Sequence, residues 1–409
     1  MKKLLLIALC LSAAMLCHAK KYFTVDTNKA PLEYSCNEGV TFTVSCVEDG
    51  KPLKDVDCRW VLFTENGEKR KGKYTADPEK PLVINTKIPK PGFAYIQVYA
   101  VNEKGARDKN VLELRASVGA EVEKIRQTVQ EPADFDDFWK KQLKRLAAVP
   151  LEAKLTKVES EYPNVECYMF SIKSVGENPA TGYISYPKNA KPNSLKARVF
   201  LYGYGFGSVM KRDREAAKGF LALSISRHGV PQGHNKEYYE QLSKTTLKRF
   251  GFRNNENAEN CDFTMMILRD LRAIEYLKTR PEWNKKDLFV TGGSMGAFQT
   301  VNVAALDKDV NEITISIPWC ADLGGITAGR FRGWRPDYMA TLDYFDIVNQ
   351  GKRLKCKTSI SIGLGDHACP ASSQFAMYNV LTCPKSLRYI QTGGHRTPSP
   401  GYKYQDYKK

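Results

Sequence analysis

The chain has 409 residues, of which 42% are hydrophobic and 26% charged, enough for two or three domains with well-buried cores. That balance is ordinary for a soluble globular protein and excludes collagen-like and disordered classes. The formal net charge is +17, yet Lys and Arg are spread along the whole chain with no long basic run. This points to a solvated basic surface and to no nucleic-acid partner, with weak attraction to acidic polysaccharide or anionic membranes left open.

Residues 1–19 read as a secretory signal peptide. Lys2 and Lys3 precede the apolar run Leu4–Leu16, and Cys17-His18-Ala19 supplies a small residue at the cut. The expected location is therefore secreted or periplasmic. Lipid attachment at Cys10 or Cys17 is the alternative, disfavoured because Leu16 is large for the position before Cys17. No later run is long enough to span a bilayer. Nine of the eleven cysteines lie beyond the signal. They show no CxxC and no Cys/His metal spacing, so no metal is expected. One disulfide among Cys36, Cys46 and Cys58 is an expectation of export.

Residues 22–118 carry short β-rich runs, "VTFTVSC", "CRWVLFT", "PLVINTKI" and "AYIQVYAVN". "EDGKP", "ENGEK" and "PKPG" supply turns between them. Strands at this spacing predict a small Ig-like β-sandwich with Trp60 in its core. A carbohydrate-binding role for this region is a further reading.

The pattern then changes, and residues 130–409 read as a second, catalytic domain. "EPADFDDFWKKQLKRLAAVP" places Phe135, Phe138, Leu143 and Leu146 at helical spacing. "ECYMFSIKS" and "TGYISYP" form a hairpin-like start, and "ARVFLYGYG" and "FLALSISRHG" follow. Next comes a helix, "DFTMMILRDLRAIEYLKT", with Phe263, Ile267, Leu271, Ile274 and Leu277 on one face. "LFVTGGS", "EITISIPW", "TSISIGLGD" and "LRYIQTGGH" are apolar throughout, as in strands buried on both faces. Strand–helix alternation of this kind predicts a mostly parallel sheet flanked by helices.

Gly292-Gly293-Ser294-Met295-Gly296 is G-x-S-x-G between a strand and a helix. A sharp turn there strains Ser294, lifts its hydroxyl above the sheet and leaves the Met295 N–H free to donate to an oxyanion. Larger residues at 292 and 296 would collide. A serine nucleophile needs a base. In an α/β-hydrolase the order is Ser, acid, His. His228 and His234 precede the serine, and His367 directly follows the best acid, which leaves His395 in "QTGGHRTP". Asp366, at the end of "SIGLGD", is the expected acid, with Asp322 in "IPWCADLGG" the alternative. The second oxyanion donor is expected in "LYGYGFGS", at the N–H of Tyr204, whose ring could equally wall the pocket.

"GGSMGA", "GLGDHACPASSQFAMYN", "GGH", "LYGYG", "LRDLRAIEYLKTRPEW" and "DFDDFW" together resemble the acetyl xylan esterase / cephalosporin C deacetylase family of α/β-hydrolases over about residues 130–398. "GRFRGW" at 329–334 belongs to the same resemblance. It implies deacetylation of acetylated carbohydrates by Ser294, Asp366 and His395, with Tyr204 and Met295 at the oxyanion hole, and no metal or organic cofactor. It also implies a homo-oligomer, often a ring. The chain departs from the family in having Met295 for Gln, Tyr202 for His, Arg227–Gly233 for a tighter Arg-Gly-Gln, and Arg396-Thr397 after the histidine. These departures leave the chemistry and open the substrate. The alternatives are an esterase for other small acyl or uronyl esters, and a glycan-binding protein with a decayed active site. A propeller-gated peptidase is disfavoured, because the N-terminal β segment is too short for a propeller.

Overall fold

A computed structural model of the chain describes residues 21–65, 67–395 and 400–408. The signal-peptide segment, Arg396 and Thr397 lie outside the described residues.

The N-terminal region folds as two sheets, antiparallel except where Lys21–Thr27 pairs in parallel with Val111–Leu112. One contains Lys21–Thr27, Gly39–Glu48 and Leu82–Lys87, with the short strands Lys51–Pro52 and Val111–Leu112 at its margins. The other runs Lys69–Thr75, Asp57–Thr64, Gly92–Ala100, Leu114–Ala120. Alternation sets the inner faces: Val40, Phe42, Val44 and Cys46 are buried, while Thr41, Thr43 and Ser45 are only partly so. Trp60 shares the inner face with Cys58 and Leu62, but it is half-buried rather than central, its ring lying over Gly72 of the edge strand. The structure holds Cys36, Cys46 and Cys58 as free thiols rather than as the expected bridge. Cys36 sits half-buried beside Glu121, while Cys46 and Cys58 are buried in the core, where burial pushes their thiols up to about 11 and about 12.

The strand Gly92–Ala100 is buried along nearly all of its length. Ala94, Ile96 and Val98 face the sandwich core, whereas Phe93 and Tyr95 join the core of the larger region. The strands Gly92–Ala100 and Leu114–Ala120 therefore have two covered faces, one against the partner sheet and one against the rest of the chain, while the edge strand Lys69–Thr75 stays largely exposed.

The larger region is built on a ten-stranded sheet. Its spatial order is Ala153–Val158, Val165–Ile172, Ala180–Pro187, Phe220–Ile225, Leu195–Leu201, Trp283–Gly293, Glu312–Ser316, Lys357–Gly363, Lys385–Ile390, Gln405–Asp406. The first three strands pair antiparallel, the six from Phe220–Ile225 to Lys385–Ile390 are parallel, and the last is antiparallel. The strand order crosses between Phe220–Ile225 and Leu195–Leu201, as expected when helices cover both faces.

The helix Phe135–Ala147 buries Phe135, Phe138 and Leu146 at the expected spacing. The helix Asp262–Lys278 differs from a one-faced reading, since Arg269, Asp270 and Arg272 are buried with its apolar residues. Neighbouring backbone carbonyls accept from the two guanidinium groups: Arg269 donates to Arg227 O at 2.7 Å and Arg272 to Val149 O at 2.9 Å. Among the described residues no helix is long and apolar enough to cross a membrane.

Candidate active site

The strand Trp283–Gly293 ends in a turn that leads directly into the helix Met295–Leu306. Ser294 occupies that turn at φ 55° and ψ −121°, a conformation costly for any residue with a Cβ. The flanking glycines make it feasible. A Cβ at Gly292 would lie 2.3 Å from the carbonyl oxygen of Gly296, and one at Gly296 would lie 2.3 Å from that of Leu201. The N–H of Ser294 donates to Ser316 O at 2.9 Å, which ties the turn to the next strand. Ser294 lies at the carboxyl edge of the parallel sheet and is buried, at 8% exposed.

The structure brings Ser294, His395 and Asp366 together. Asp366 follows the strand Lys357–Gly363, and His395 follows Lys385–Ile390, so both loops rise from the same sheet edge. His395 Nε2 lies 3.0 Å from Ser294 Oγ, and Nδ1 lies 2.9 Å from Asp366 Oδ2. A carboxylate only accepts, so Nδ1 carries the proton and Nε2 presents its lone pair to the hydroxyl. Asp366 is fully buried, and its other oxygen accepts from the N–H groups of Ala368 and Cys369 at 2.8 and 3.0 Å. These bonds fix the carboxylate plane.

Asp322, the alternative acid, is engaged elsewhere. It accepts from Thr128 N at 2.7 Å and pairs with Arg330. His367 packs against Tyr95 and Phe331, and burial lowers its pKa to about 4.

Met295 and Tyr204, the expected oxyanion donors, both lie close to Ser294. Met295 opens a helix, where first-turn N–H groups lack intrahelical partners, and its side chain is wholly buried. Tyr204 follows Gly203, whose missing Cβ would lie 3.7 Å from Ser294 Cβ. The Tyr204 ring packs edge-on against Trp334 at 4.7 Å. Trp334 is 41% exposed and also meets Phe252 and the buried Trp319, forming an aromatic lip.

Sequence reasoning missed what holds the Tyr204 loop. Arg227 Nε donates to Gly205 O at 2.6 Å, and His228 Nε2 bonds the same oxygen at 2.7 Å. The His228 ring is stacked on Phe206 and edge-on to Phe250, and burial, followed by the Arg227 charge, lowers its pKa to about 3. It is a neutral donor throughout the ordinary pH range. The available signal was a glycine-rich loop, which needs outside anchors to keep one conformation.

Cys369 was also missed. Its buried thiol lies beside Ser294 and, with Asp366 and His395, offers donor atoms within 4.8 Å of one another. Those of Asp366 and His395 are directed at each other and at Ser294, and burial holds the thiol protonated. The arrangement suits proton transfer between Ser294 and a His395 oriented by Asp366 rather than cation binding.

A family model described as acetyl xylan esterase (AXE1) matches residues 117–328 and 330–408. The chain is 26% identical over 346 residues to the acetyl esterase Axe7A of Xylanibacter ruminicola, covering 80% of this chain and 76% of that one. Among solved structures, an acetyl xylan esterase from Paenibacillus sp. R4 aligns with TM-score 0.57 and 24% identity, over 68% of this chain and 94% of that one. Acetyl xylan esterase 1 from Thermoanaerobacterium sp. JW/SL YS485 aligns equally, at 0.57 and 24%, over 69% and 94%. These alignments show the α/β-hydrolase fold. With the family model matching most of the chain, the protein belongs to the acetyl xylan esterase family and is a carboxylic ester hydrolase.

Proposed function

We propose that the protein removes acetyl groups from acetylated carbohydrates, xylan or oligosaccharides, through an acyl-enzyme on Ser294. His395 takes the hydroxyl proton as Ser294 Oγ attacks the acetyl carbonyl. The Met295 and Tyr204 N–H groups donate to the oxyanion, worth about 10²–10³ in rate per donor. His395 passes the proton to the departing sugar oxygen, leaving acetyl-Ser294. Water then attacks that ester with His395 again as base; His395 returns the proton to Ser294 Oγ as its bond to the acetyl carbon breaks, releasing acetic acid, which ionises to acetate. Asp366 holds the imidazole tautomer and stabilises the imidazolium. Each step conserves protons without a further reactant.

The single observation that carries this reading is the unbroken hydrogen-bond chain from Ser294 Oγ through His395 to Asp366, at 3.0 and 2.9 Å. The acetyl and sugar specificity is supported by the family and by the relative's acetyl esterase activity as named. A cleft of about 470 Å³ beside the aromatic lip adds to it, lined by Phe252, Arg253, Asn254, Trp334 and Asp337 among others. An exposed indole with fixed polar groups around it suits the apolar face and hydroxyls of a pyranose. The basic n-region and apolar run at the N-terminus support action outside the cytoplasm, where such polymers occur.

The test is acetate release from acetylated xylan and xylo-oligosaccharides, alongside a panel of p-nitrophenyl esters of increasing acyl length. Acetate release, with kcat/KM falling steeply beyond the acetyl ester, is the expected result. Activity confined to longer acyl or uronyl esters would assign a different substrate class.

His228 acts through the loop rather than on substrate. His228→Phe is expected to lower kcat on p-nitrophenyl acetate by about 10- to 100-fold with KM little changed, because a displaced Tyr204 N–H weakens only transition-state binding. A rise in KM with unchanged kcat would instead place His228 in substrate binding.

A further inference from the structure

The strand Leu114–Ala120 is the last of the N-terminal β-region, yet it touches both loops that carry the acid and the histidine. Ser117 Oγ donates to Leu364 O at 2.6 Å, in a buried contact, two residues before Asp366. Gly393 N donates to Arg115 O at 3.2 Å, two residues before His395. Ala116 pairs with Thr392 in an isolated antiparallel bridge. Gly365 approaches so closely that a Cβ there would lie 2.2 Å from Arg115 O. Three consecutive residues thus hold two separate loops in one frame.

The frame itself is stiff. Leu114–Ala120 is paired along its whole length with Gly92–Ala100, and Ser117 stands opposite Tyr95. A second tie joins the same parts. Glu65, buried in the seam, accepts from Phe93 N and Phe331 N, each at 3.1 Å, and from Ser372 Oγ, in the helix Ala371–Val380 that follows the acid loop. Both ties use fully buried side chains, whose polar atoms are costly to leave unpaired.

We infer that Ser117 is a positioning residue for the Asp366–His395 pair, and that the N-terminal β-region is thereby part of the catalytic apparatus. The Ser117 hydroxyl fixes the Leu364 carbonyl, and with it the position of Asp366, against the backbone that also holds the His395 loop. This inference rests on the catalytic reading of Ser294, Asp366 and His395. Without the hydroxyl, the Leu364 carbonyl is buried and unpaired, and the acid loop moves to find another donor. Misplacement by about 1 Å far from the reacting bond is enough to cost about 10²-fold in rate.

The experiment compares full-length Ser117→Ala, Ser117→Thr and Ser117→Val with the parent on p-nitrophenyl acetate. Thr and Val share a shape and differ in the hydroxyl, so that pair decides the matter should the Ala variant not fold. The expected result is a kcat lower by about 10- to 100-fold for Ala and Val, KM within about twofold, and most of the rate recovered in Thr. The far-downfield proton resonance of the His395–Asp366 hydrogen bond should shift or broaden in Ala and Val and persist in Thr. A merely structural role would lower the melting temperature and leave that resonance in place. The inference is overturned if Ala and Val keep the parent kcat and resonance. If Ser294→Ala keeps parental activity, the catalytic reading itself fails, an outcome distinct from any result at Ser117.

Discussion

Ser294→Ala is expected to lower kcat for acetyl ester hydrolysis by on the order of 10⁶-fold. The methyl group of alanine provides no nucleophile, and His395 would have only water to activate, without the acyl-enzyme that divides the reaction into two easier steps. Residual turnover above the uncatalysed rate, by about 10³–10⁴, would come from the oxyanion donors and substrate positioning. The fold should survive, since alanine meets about the same backbone strain at φ 55° as serine does. Circular dichroism and melting temperature would confirm this. A fluorophosphonate should add to the parent at the tryptic peptide containing Ser294 and leave the variant unmodified, as read by mass spectrometry. Retained turnover, or an adduct on another residue, would remove Ser294 from the reaction.

Asp366→Asn should cost about 10⁴-fold in kcat, with KM little changed. The asparagine amide can donate to His395 Nδ1, which favours the tautomer carrying its proton on Nε2. That proton then points at Ser294 Oγ, and the base is lost. The Ala368 and Cys369 N–H groups hold one oxygen of residue 366, so they keep the asparagine oxygen on their side and turn its amide toward His395. Asp322→Asn is the matched control. It keeps an oxygen for Thr128 N but loses the oxygen that accepts from Thr128 Oγ1 and Arg330, so it should lower stability and leave kcat within about tenfold, as expected for breaking a buried ion pair that does not contact His395. Steady-state kinetics with thermal melts on the two variants separates these effects. A larger kcat loss at Asp322 than at Asp366 would transfer the acid role.

Much of the site was legible because its chemistry is written in short range. The spacing Gly292-x-Ser294-x-Gly296 specifies a turn too tight for a Cβ on either side, and the 2.3 Å approaches at both glycines give the steric reason. The runs around Leu288, Ile313, Ile360 and Leu387 bury one face throughout, but Thr314, Ser386 and Arg388 are exposed on the other, so the two-sided burial expected from their composition holds only in part. With strand order known, Asp366 and His395 lie at the ends of strands near the one that carries Ser294.

Other features were not legible for reasons equally physical. His228 and Arg227 read as loop residues after a strand, and nothing local says that both aim at Gly205 O. The helix Asp262–Lys278 read as one-faced, since its buried arginines are compensated by carbonyls at Arg227 and Val149, distant in the chain. Trp60 read as core on alternation alone, which gives the face but not the distance from the sheet edge. The cysteine expectation rested on the compartment, which permits a bond without bringing two sulfurs into bonding geometry.

The sequence by itself determined the strained serine turn and the parallel sheet beneath it, because glycine sterics and strand periodicity act over a few residues. Only the tertiary structure decided that the outer face of the second N-terminal sheet is covered over its inner strands and that its last strand braces the loops carrying Asp366 and His395. The bond from Ser117 to Leu364 joins residues 247 positions apart. Such a contact depends on how two independently patterned sheets dock, and no local preference for helix, strand or turn encodes it.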